Sequence, residues 1–426
     1  MDNFYATDSS VTLAKSGSSS VCRLCAANLN TTVVDLGVSP LANAFISIKN
    51  KNKMEPFYPL HAMICDHCWL VQLEQFETPQ QIFEDYLYYS SYSTSWLRHA
   101  ESYIEDMVRC FNLNSSSLIV EIASNDGYLL QYAQKKCIKV LGIEPASTVA
   151  EVAISKGINT EVAFFDKETA MRLRNNGVKA DLMVANNVLA HVPDLHNFLE
   201  GFRILLKDDG VITFEFPHLM KLLTEAQFDT IYHEHFSYFS LKTVIEALRI
   251  HNLRVFDVDQ LSTHGGSLRV YVTHEKNKNH QQTGAIQNIL NQEYSAGLYN
   301  IETYKSFSER VIKIKEDFVE FLINERRLNK KIIAYGAPAK GNTLLNFCGI
   351  GPEFISFTTD INPHKQGMLL PGSRIPVMSP EVIRHEKPDV VIILPWNLKD
   401  EIMSQLSYIR SWGGRFALSI PDLLII

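Results

Sequence analysis

Tyr232, His233, Glu234 and His235 place a phenol, two imidazoles and a carboxylate in four consecutive positions. A folded core has no need of so many proton carriers side by side. Histidine titrates near neutral pH, so an imidazole here suits general-base work, with a phenol or second imidazole donating to an oxygen that gains charge. The structural alternative, buried hydrogen-bonded core histidines, would have to hold for His233 and His235 together. The four residues are therefore candidate catalytic groups.

Cys22-Arg23-Leu24-Cys25 and Cys65-Asp66-His67-Cys68 form a second constellation. Two such knuckles can set four thiolates at the corners of a tetrahedron, which suits zinc. Cys22, Cys25, Cys65 and Cys68 are the candidate ligands. A site closed by four cysteines has no open position, so its zinc is expected to be structural. The 39 residues between the pairs must fold as a small subdomain inside the loop. Cys110, Cys137 and Cys348 read as buried small hydrophobes.

Elements that could position this chemistry follow a regular alternation. An apolar strand over 118–123 runs into Ser124-Asn125-Asp126-Gly127-Tyr128, then into a helical stretch from Leu129 to Lys136. Strand, small-residue turn and helix make a cofactor site at the strand's C-terminal end. The turn is neither GxGxxG nor a P-loop. A second strand ends in Glu144, placed about 20 positions beyond the turn, where an acid can hydrogen-bond ribose hydroxyls. A third element ends at Phe165-Asp166, a position suited to adenine. A fourth strand ends in Asn186 and leads to His191, facing the same crevice, and a fifth ends at Pro217-His218. Strand and helix alternating in this way predict a doubly wound parallel sheet, hence an α/β protein. Ser240 is placed to cap a helix over 241–248.

Beyond it, His264-Gly265-Gly266-Ser267 reads as a glycine turn entering a strand. Tyr304, Phe307, Val311, Ile314, Phe318 and Phe321 recur at spacings of three and four, one apolar face of a packing helix. A second α/β pattern then begins. The strand 331–335 opens into Gly336-Ala337-Pro338-Ala339-Lys340-Gly341-Asn342-Thr343, whose helix N-terminus and lysine make a diphosphate cradle. Further strand ends carry Asp360 to Gly367 and Pro395-Trp396-Asn397.

The chain has 426 residues, 46% of them hydrophobic, and a formal charge of -7. That length suits two or three domains. The acidic balance argues against a nucleic-acid partner. No apolar run approaches the ~18–20 residues of a membrane span. Residues 1–19 are Ser-rich, lack the order of a signal peptide and are expected to be a disordered lead-in. The expected divisions are a zinc-binding domain over 20–78, a cofactor domain over 79–255 and a C-terminal Rossmann-like domain over 256–426. An odd count of seven cysteines is unlike a disulfide framework and fits a reduced, cytoplasmic protein.

The strand order of the middle third is similar to that of class I S-adenosylmethionine-dependent methyltransferases. That likeness places Glu121, Asn125, Asp126 and Gly127 against the methionine part of the cofactor, Glu144 on the ribose, Phe165 and Asp166 beside adenine, and Asn186 at the neighbouring strand end. Across residues 20–426, the two CxxC pairs, Glu121-Ile-Ala-Ser-Asn-Asp-Gly127, Tyr232-His-Glu-His235, His264-Gly-Gly-Ser267 and Tyr335-Gly-Ala-Pro-Ala-Lys-Gly341 occur in one order. As a set they resemble the nucleotide-sugar C-methyltransferases that place a branch methyl on C3 of a 4-keto deoxysugar. The resemblance implies that His235 is the general base, with Tyr232 and Glu234 as helpers and His191 and Tyr86 as further active-site residues. It also implies that the C-terminal domain holds a nucleotide-sugar, in that family a dTDP-sugar, so Lys340, Asn342, His364 and Lys365 become candidate ligands. Structural zinc, S-adenosylmethionine and a nucleotide-sugar substrate are the implied partners, with no membrane partner and a monomer or weak homo-oligomer expected. The rivals are a methyltransferase acting on another sugar position or on oxygen, and a nucleotide-sugar oxidoreductase or epimerase.

Overall fold

The structure, a computed structural model, describes residues 20–83 and 89–426. The lead-in 1–19 and Tyr86 lie outside the described residues. Strands β1 (Thr31–Ser39), β2 (Ile46–Ser47), β3 (Tyr58–Ile64) and β4 (Val71–Leu73) belong to the N-terminal part. The central part carries β5 (Leu118–Ile122), β6 (Lys139–Ile143), β7 (Thr160–Glu161), β8 (Ala180–Asn186), β9 (Leu206–Pro217), β10 (Ser237–Tyr238), β11 (Leu253–Leu261) and β12 (Ser267–His274). The C-terminal part carries β13 (Ile332–Tyr335), β14 (Thr358–Thr359), β15 (Met368–Leu369), β16 (Val377–Met378), β17 (Val390–Ile393), β18 (Arg415–Leu418) and β19 (Leu424–Ile425).

The central sheet has seven strands in the order β11-β12-β9-β8-β5-β6-β7. Its body is parallel, and β12 alone runs against its neighbours β9 and β11. β5 and β8 are apolar at nearly every position because helices cover both faces of the sheet. The C-terminal sheet has the order β16-β14-β13-β17-β18-β19, parallel except for β19.

Two boundaries differ from the sequence expectation. β11 and β12 pair with each other and with β9, so a division at residue 255 would split one sheet. The helix Gly284–Ser295 also stays with the central core, through Ile286 and Ile289. The apolar pattern could not show this, because the switch from strand pairing to a new domain leaves no break in composition. The second difference is β10. Though it lies between central helices in the chain, it pairs antiparallel with β4 and closes the sheet order β1-β3-β4-β10. The N-terminal sheet thus takes its last strand from the segment that follows Tyr232 to His235.

The helix Ile301–Arg327 buries Tyr304, Phe307, Val311, Ile314, Phe318 and Phe321, the face expected from their spacing. Its apolar stripe is shared by β1, the C-terminal sheet and the Phe228–Ile231 stretch, one core joining all three parts. Among the lone cysteines only Cys348 is buried; Cys110 and Cys137 are exposed. Cys110 ends the helix Thr94–Cys110 and Cys137 sits in a left-handed turn at φ 59°, so both fall where elements stop rather than where they pack.

Candidate active site

Tyr232 to His235 is a tight turn closed by the His235 N–H on the Tyr232 carbonyl at 2.8 Å. Its two ends face one way and its tip another. At the ends, the Tyr232 hydroxyl lies 2.8 Å from His235 Nε2. His235 Nδ1 lies 2.9 Å from the Thr230 carbonyl, which can only accept, so Nδ1 carries the proton and Nε2 the lone pair. The His191 ring, in the short turn after β8, stands edge-on to His235 with centroids 4.7 Å apart. At the tip, His233 Nε2 meets the Pro59 carbonyl at 3.0 Å and its ring packs by Tyr58 and Phe76. The Glu234 carboxylate takes the Asn43 amide at 2.9 and 2.8 Å. His233 and Glu234 therefore face the N-terminal part, a correction to their expected place beside Tyr232 and His235. A turn puts positions i and i+3 together and sends the middle pair outward.

Burial sets the charges here. It drives His235 well below the ordinary histidine value, with His191 adding to the effect, and takes His191 down to about 4. Burial also raises Glu234 to about 7. Neutral imidazoles beside a phenol make a proton-accepting pocket.

His264 of the glycine turn and two residues that the sequence did not single out, Trp96 and His99, complete the wall. His264, in the glycine turn at φ 53°, lies 3.3 Å from Asn187 Nδ2 and edge-on to Trp96. Trp96 stacks on His99, which meets Glu215 at 2.8 Å, and Glu215 pairs with Arg269. Trp96, His99 and Tyr103 share one face of the helix Thr94–Cys110, at spacings of three and four, and that periodicity was the available signal. The turn itself needs glycine. Gly266 has φ 115°, and a Cβ there would come within 2.6 Å of Lys221; a Cβ on Gly265 would run into the Trp396 ring.

The candidate cofactor residues gather at the C-terminal ends of β5, β6 and β8. Burial holds Glu121 well above the usual carboxylate range and takes Glu144 to about 7. Glu144 accepts the N–H groups of Asn125 and Ala146, each at 2.9 Å, which shapes the turn. Asp126 meets Lys156 at 3.3 Å, and Asn125 takes the Ser90 N–H at 2.9 Å. Gly127 lies in the turn at φ 76°. Among the described residues, Glu121 Oε2, Ser124 Oγ, Asp126 Oδ1 and both side-chain atoms of Asn186 are buried without a hydrogen-bond partner. So many unmet acceptors and donors on one edge fit a polar ligand such as S-adenosylmethionine. Phe165 and Asp166 also make contacts within the protein. The Phe165 ring packs edge-on against Phe198 and Phe202, and Asp166 caps the helix Lys167–Asn175 through the Thr169 N–H at 2.7 Å. The strand β7 stops at Glu161, so the chain turns inward before it reaches them.

The four cysteine sulfurs lie within 4.8 Å of one another, with Cys22 to Cys68 and Cys25 to Cys65 each at 3.5 Å. The Cys68 hydrogen bond, with the Gln72 amide at 3.2 Å and nearby backbone N–H groups, holds the Cys22 thiol below its usual range, as a metal-binding thiolate requires. The donor set fits zinc. Gln72 sits on β4, opposite Ser237 of β10, so the metal site braces the strand beside the catalytic turn.

In the C-terminal part the candidates divide. Asn342 is buried and donates to the Ala42 carbonyl at 2.6 Å, while Thr343 donates to the Ile231 carbonyl at 3.0 Å; Asn342 is thus a tie between parts, with its Oδ1 left unpartnered among the described residues. Its place one turn into a helix that docks on the N-terminal part accounts for this. Lys365 donates to the Ala337 carbonyl at 2.8 Å and faces Asp360 and Glu234. His364 is exposed, stacked on Tyr89 with centroids 5.1 Å apart. Lys340 turns toward the catalytic pocket, where it gives one hydrogen bond, to Asn397 Oδ1 at 2.6 Å.

A family model described as a zinc binding domain matches residues 22–83, one described as a methyltransferase domain matches 96–258, and one described as a C-methyltransferase C-terminal domain matches 262–421. The C-methyltransferase NovU of Streptomyces niveus is 35% identical over 405 residues, covering 95% of this chain and 96% of its own. Among solved structures, an S-adenosylmethionine-dependent methyltransferase from Clostridium acetobutylicum aligns with 42% of this chain and 92% of its own, with 13% identity and a TM-score of 0.34. Magnesium protoporphyrin IX methyltransferase from Synechocystis, with bound SAM, covers 47% and 100% at 13% identity and a TM-score of 0.35. Among the described residues no helix is long and apolar enough to cross a membrane.

Proposed function

The chain belongs to the S-adenosylmethionine-dependent C-methyltransferases, and on that premise we propose that it methylates C3 of a nucleotide-diphosphate 4-keto-6-deoxysugar, with dTDP as the nucleotide. The observation that carries the reading is the fixed tautomer of His235. A ketone at C4 makes the C3 hydrogen acidic, because the electron pair left behind is shared with the C4 oxygen. Removing that hydrogen takes an aimed base that is neutral when substrate arrives. His235 meets the requirement: its Nδ1 proton is held by Thr230, and the Nε2 lone pair is directed at the Tyr232 hydroxyl.

The proton leaving C3 passes to Nε2, and the C4 oxygen gains charge as the C3–H bond breaks. Tyr232, whose O–H donates to Nε2 before substrate arrives, turns that donor to the C4 oxygen as Nε2 takes the C3 proton, and the neutral His191 ring lines the pocket beside it. The unmet polar atoms at the ends of β5 and β8 would hold S-adenosylmethionine, which supplies an electrophilic methyl group when bound. Glu234 acts from behind, fixing the turn to Asn43. NovU, the relative that covers nearly the whole chain, is itself named a C-methyltransferase.

The test is incubation with S-adenosylmethionine and a panel of dTDP-4-keto-deoxysugars, followed by mass analysis for the gain of one methyl. Solvent deuterium should also enter the sugar at C3 without the methyl donor, which methylation on oxygen would not require. No mass gain with any member of the panel would remove the proposal.

A further inference from the structure

Lys340 was expected in a diphosphate cradle, yet its surroundings are not those of a phosphate ligand. The helix that carries it, Ala339–Cys348, docks against Phe228–Ile231 through Thr343. This brings the lysine to the reacting pocket. Its ammonium stands over the Trp396 ring at 4.3 Å and gives a hydrogen bond to Asn397 Oδ1 at 2.6 Å. The Trp396 N–H donates to Asp229 Oδ2 at 2.7 Å. Asp229 is buried, lies three residues before Tyr232, and has its other oxygen unpartnered among the described residues. Trp396 also covers Gly265 of the turn that holds His264. The C-terminal part thus reaches into the site with one ammonium on a braced arm.

No carboxylate lies within ion-pairing distance of that ammonium among the described residues, and the charged or titratable groups facing it are Asp229, His235 and His264. Holding a cation in a dry pocket with no ion pair is costly unless an anion arrives. Burial has already brought it down to about 8. The neighbouring imidazoles are neutral and Asp229, held by the Trp396 N–H, supports the ammonium from beyond ion-pairing distance, so charge developing on the substrate would complete its pairing.

We propose that Lys340 is a catalytic residue whose ammonium stabilises the charge that develops on the substrate oxygen as the carbon acid is deprotonated, with Asn397, Trp396 and Asp229 as its positioning residues. The assignment rests on the sugar-nucleotide function proposed above. It replaces the diphosphate role with one at the reacting end: the C–H bond breaks toward His235, the electron pair shifts toward the carbonyl oxygen, and Lys340 meets the charge there without giving up its proton.

The deciding comparison is Lys340→Met against wild type, with dTDP as the binding probe and a dTDP-4-keto-deoxysugar as substrate. dTDP contains the diphosphate and lacks the reacting carbon. The kcat of Lys340→Met should fall by about 100-fold or more, the loss typical of one oxyanion donor, while the Kd for dTDP and for S-adenosylmethionine stays within about twofold. Wild-type kcat should decline as pH rises through about 8, where the ammonium loses its charge, and that limb should vanish in Lys340→Met. Weaker dTDP binding by tenfold or more with kcat retained would return Lys340 to the diphosphate and overturn the proposal. Should Lys340→Met melt early, Lys340→Arg decides: the cation persists, so the basic limb should move upward by more than about two pH units, and an unmoved limb would overturn the assignment. A wild type that neither binds dTDP nor turns over any panel member would instead remove the sugar-nucleotide function beneath it.

Discussion

Two sheet edges of similar architecture meet the catalytic turn, and they are finished differently. At the central edge, Glu121, Ser124, Asp126 and Asn186 keep buried polar atoms without partners. At the C-terminal edge, Asn342 binds the Ala42 carbonyl, Thr343 the Ile231 carbonyl and Lys365 the Ala337 carbonyl. One edge stores unmet hydrogen-bonding capacity, which costs stability and is recovered when a ligand binds. The other has spent most of its capacity on docking, with Asn342 Oδ1 and Thr359 Oγ1 left over. A parallel α/β edge is therefore not a ligand site by topology alone; how its last side chains are satisfied decides.

The largest disturbance to this contrast should come from zinc removal. Chelation should unfold the N-terminal part and lower the melting temperature as turnover is lost, since β4 holds β10 in place. Loss of activity with an unchanged melting curve would contradict a structural metal. Next, His235→Ala should reduce turnover by about 10²–10⁴-fold while S-adenosylmethionine still binds the central edge, as calorimetry can show; near-normal turnover would sink the base assignment. In the wild type, the acid limb of kcat/KM should fall below pH 6.5, because burial keeps His235 neutral to lower pH than usual.

A matched pair then sharpens the comparison between edges. Asn342→Ala breaks the tie to the Ala42 carbonyl and should cost about 1–3 kcal/mol in a urea melt, with cofactor affinity unchanged. Asn186→Ala removes unmet groups, so it should leave the melt nearly untouched and weaken S-adenosylmethionine binding about tenfold, or ~1.4 kcal/mol. Equal effects of the two changes on stability would erase the distinction between edges.

What the sequence disclosed was local. The apolar face of Tyr304 to Phe321, the cap at Ser240 and the cysteine pairs follow from short-range spacing, and the structure shows each. Spacing could not say which way the catalytic turn faced. That depended on partners such as Pro59 and Asn43, which approach from more than 170 positions away. Spacing could not show that Phe165 packs against Phe198 and Phe202, because an aromatic residue at a strand end looks the same with or without such neighbours. Asp229, Trp396 and Lys340 gave no joint signal, since their association exists only after the C-terminal part has docked.

The shared sheet of β4 and β10 has a consequence for engineering and for inheritance. The three parts look like interchangeable modules when read along the chain. Two hydrogen-bonded residues, Ser237 and Tyr238, make the first and second inseparable. A chimera that exchanged the cysteine-bearing part alone would receive a new edge beneath the old catalytic turn, and a mismatch of a single register step there would turn the side chains of β10 over. Substrate-switching hybrids of this protein should therefore carry residues 22–73 and 230–240 as one cassette, two distant stretches of gene that the fold has made a single part.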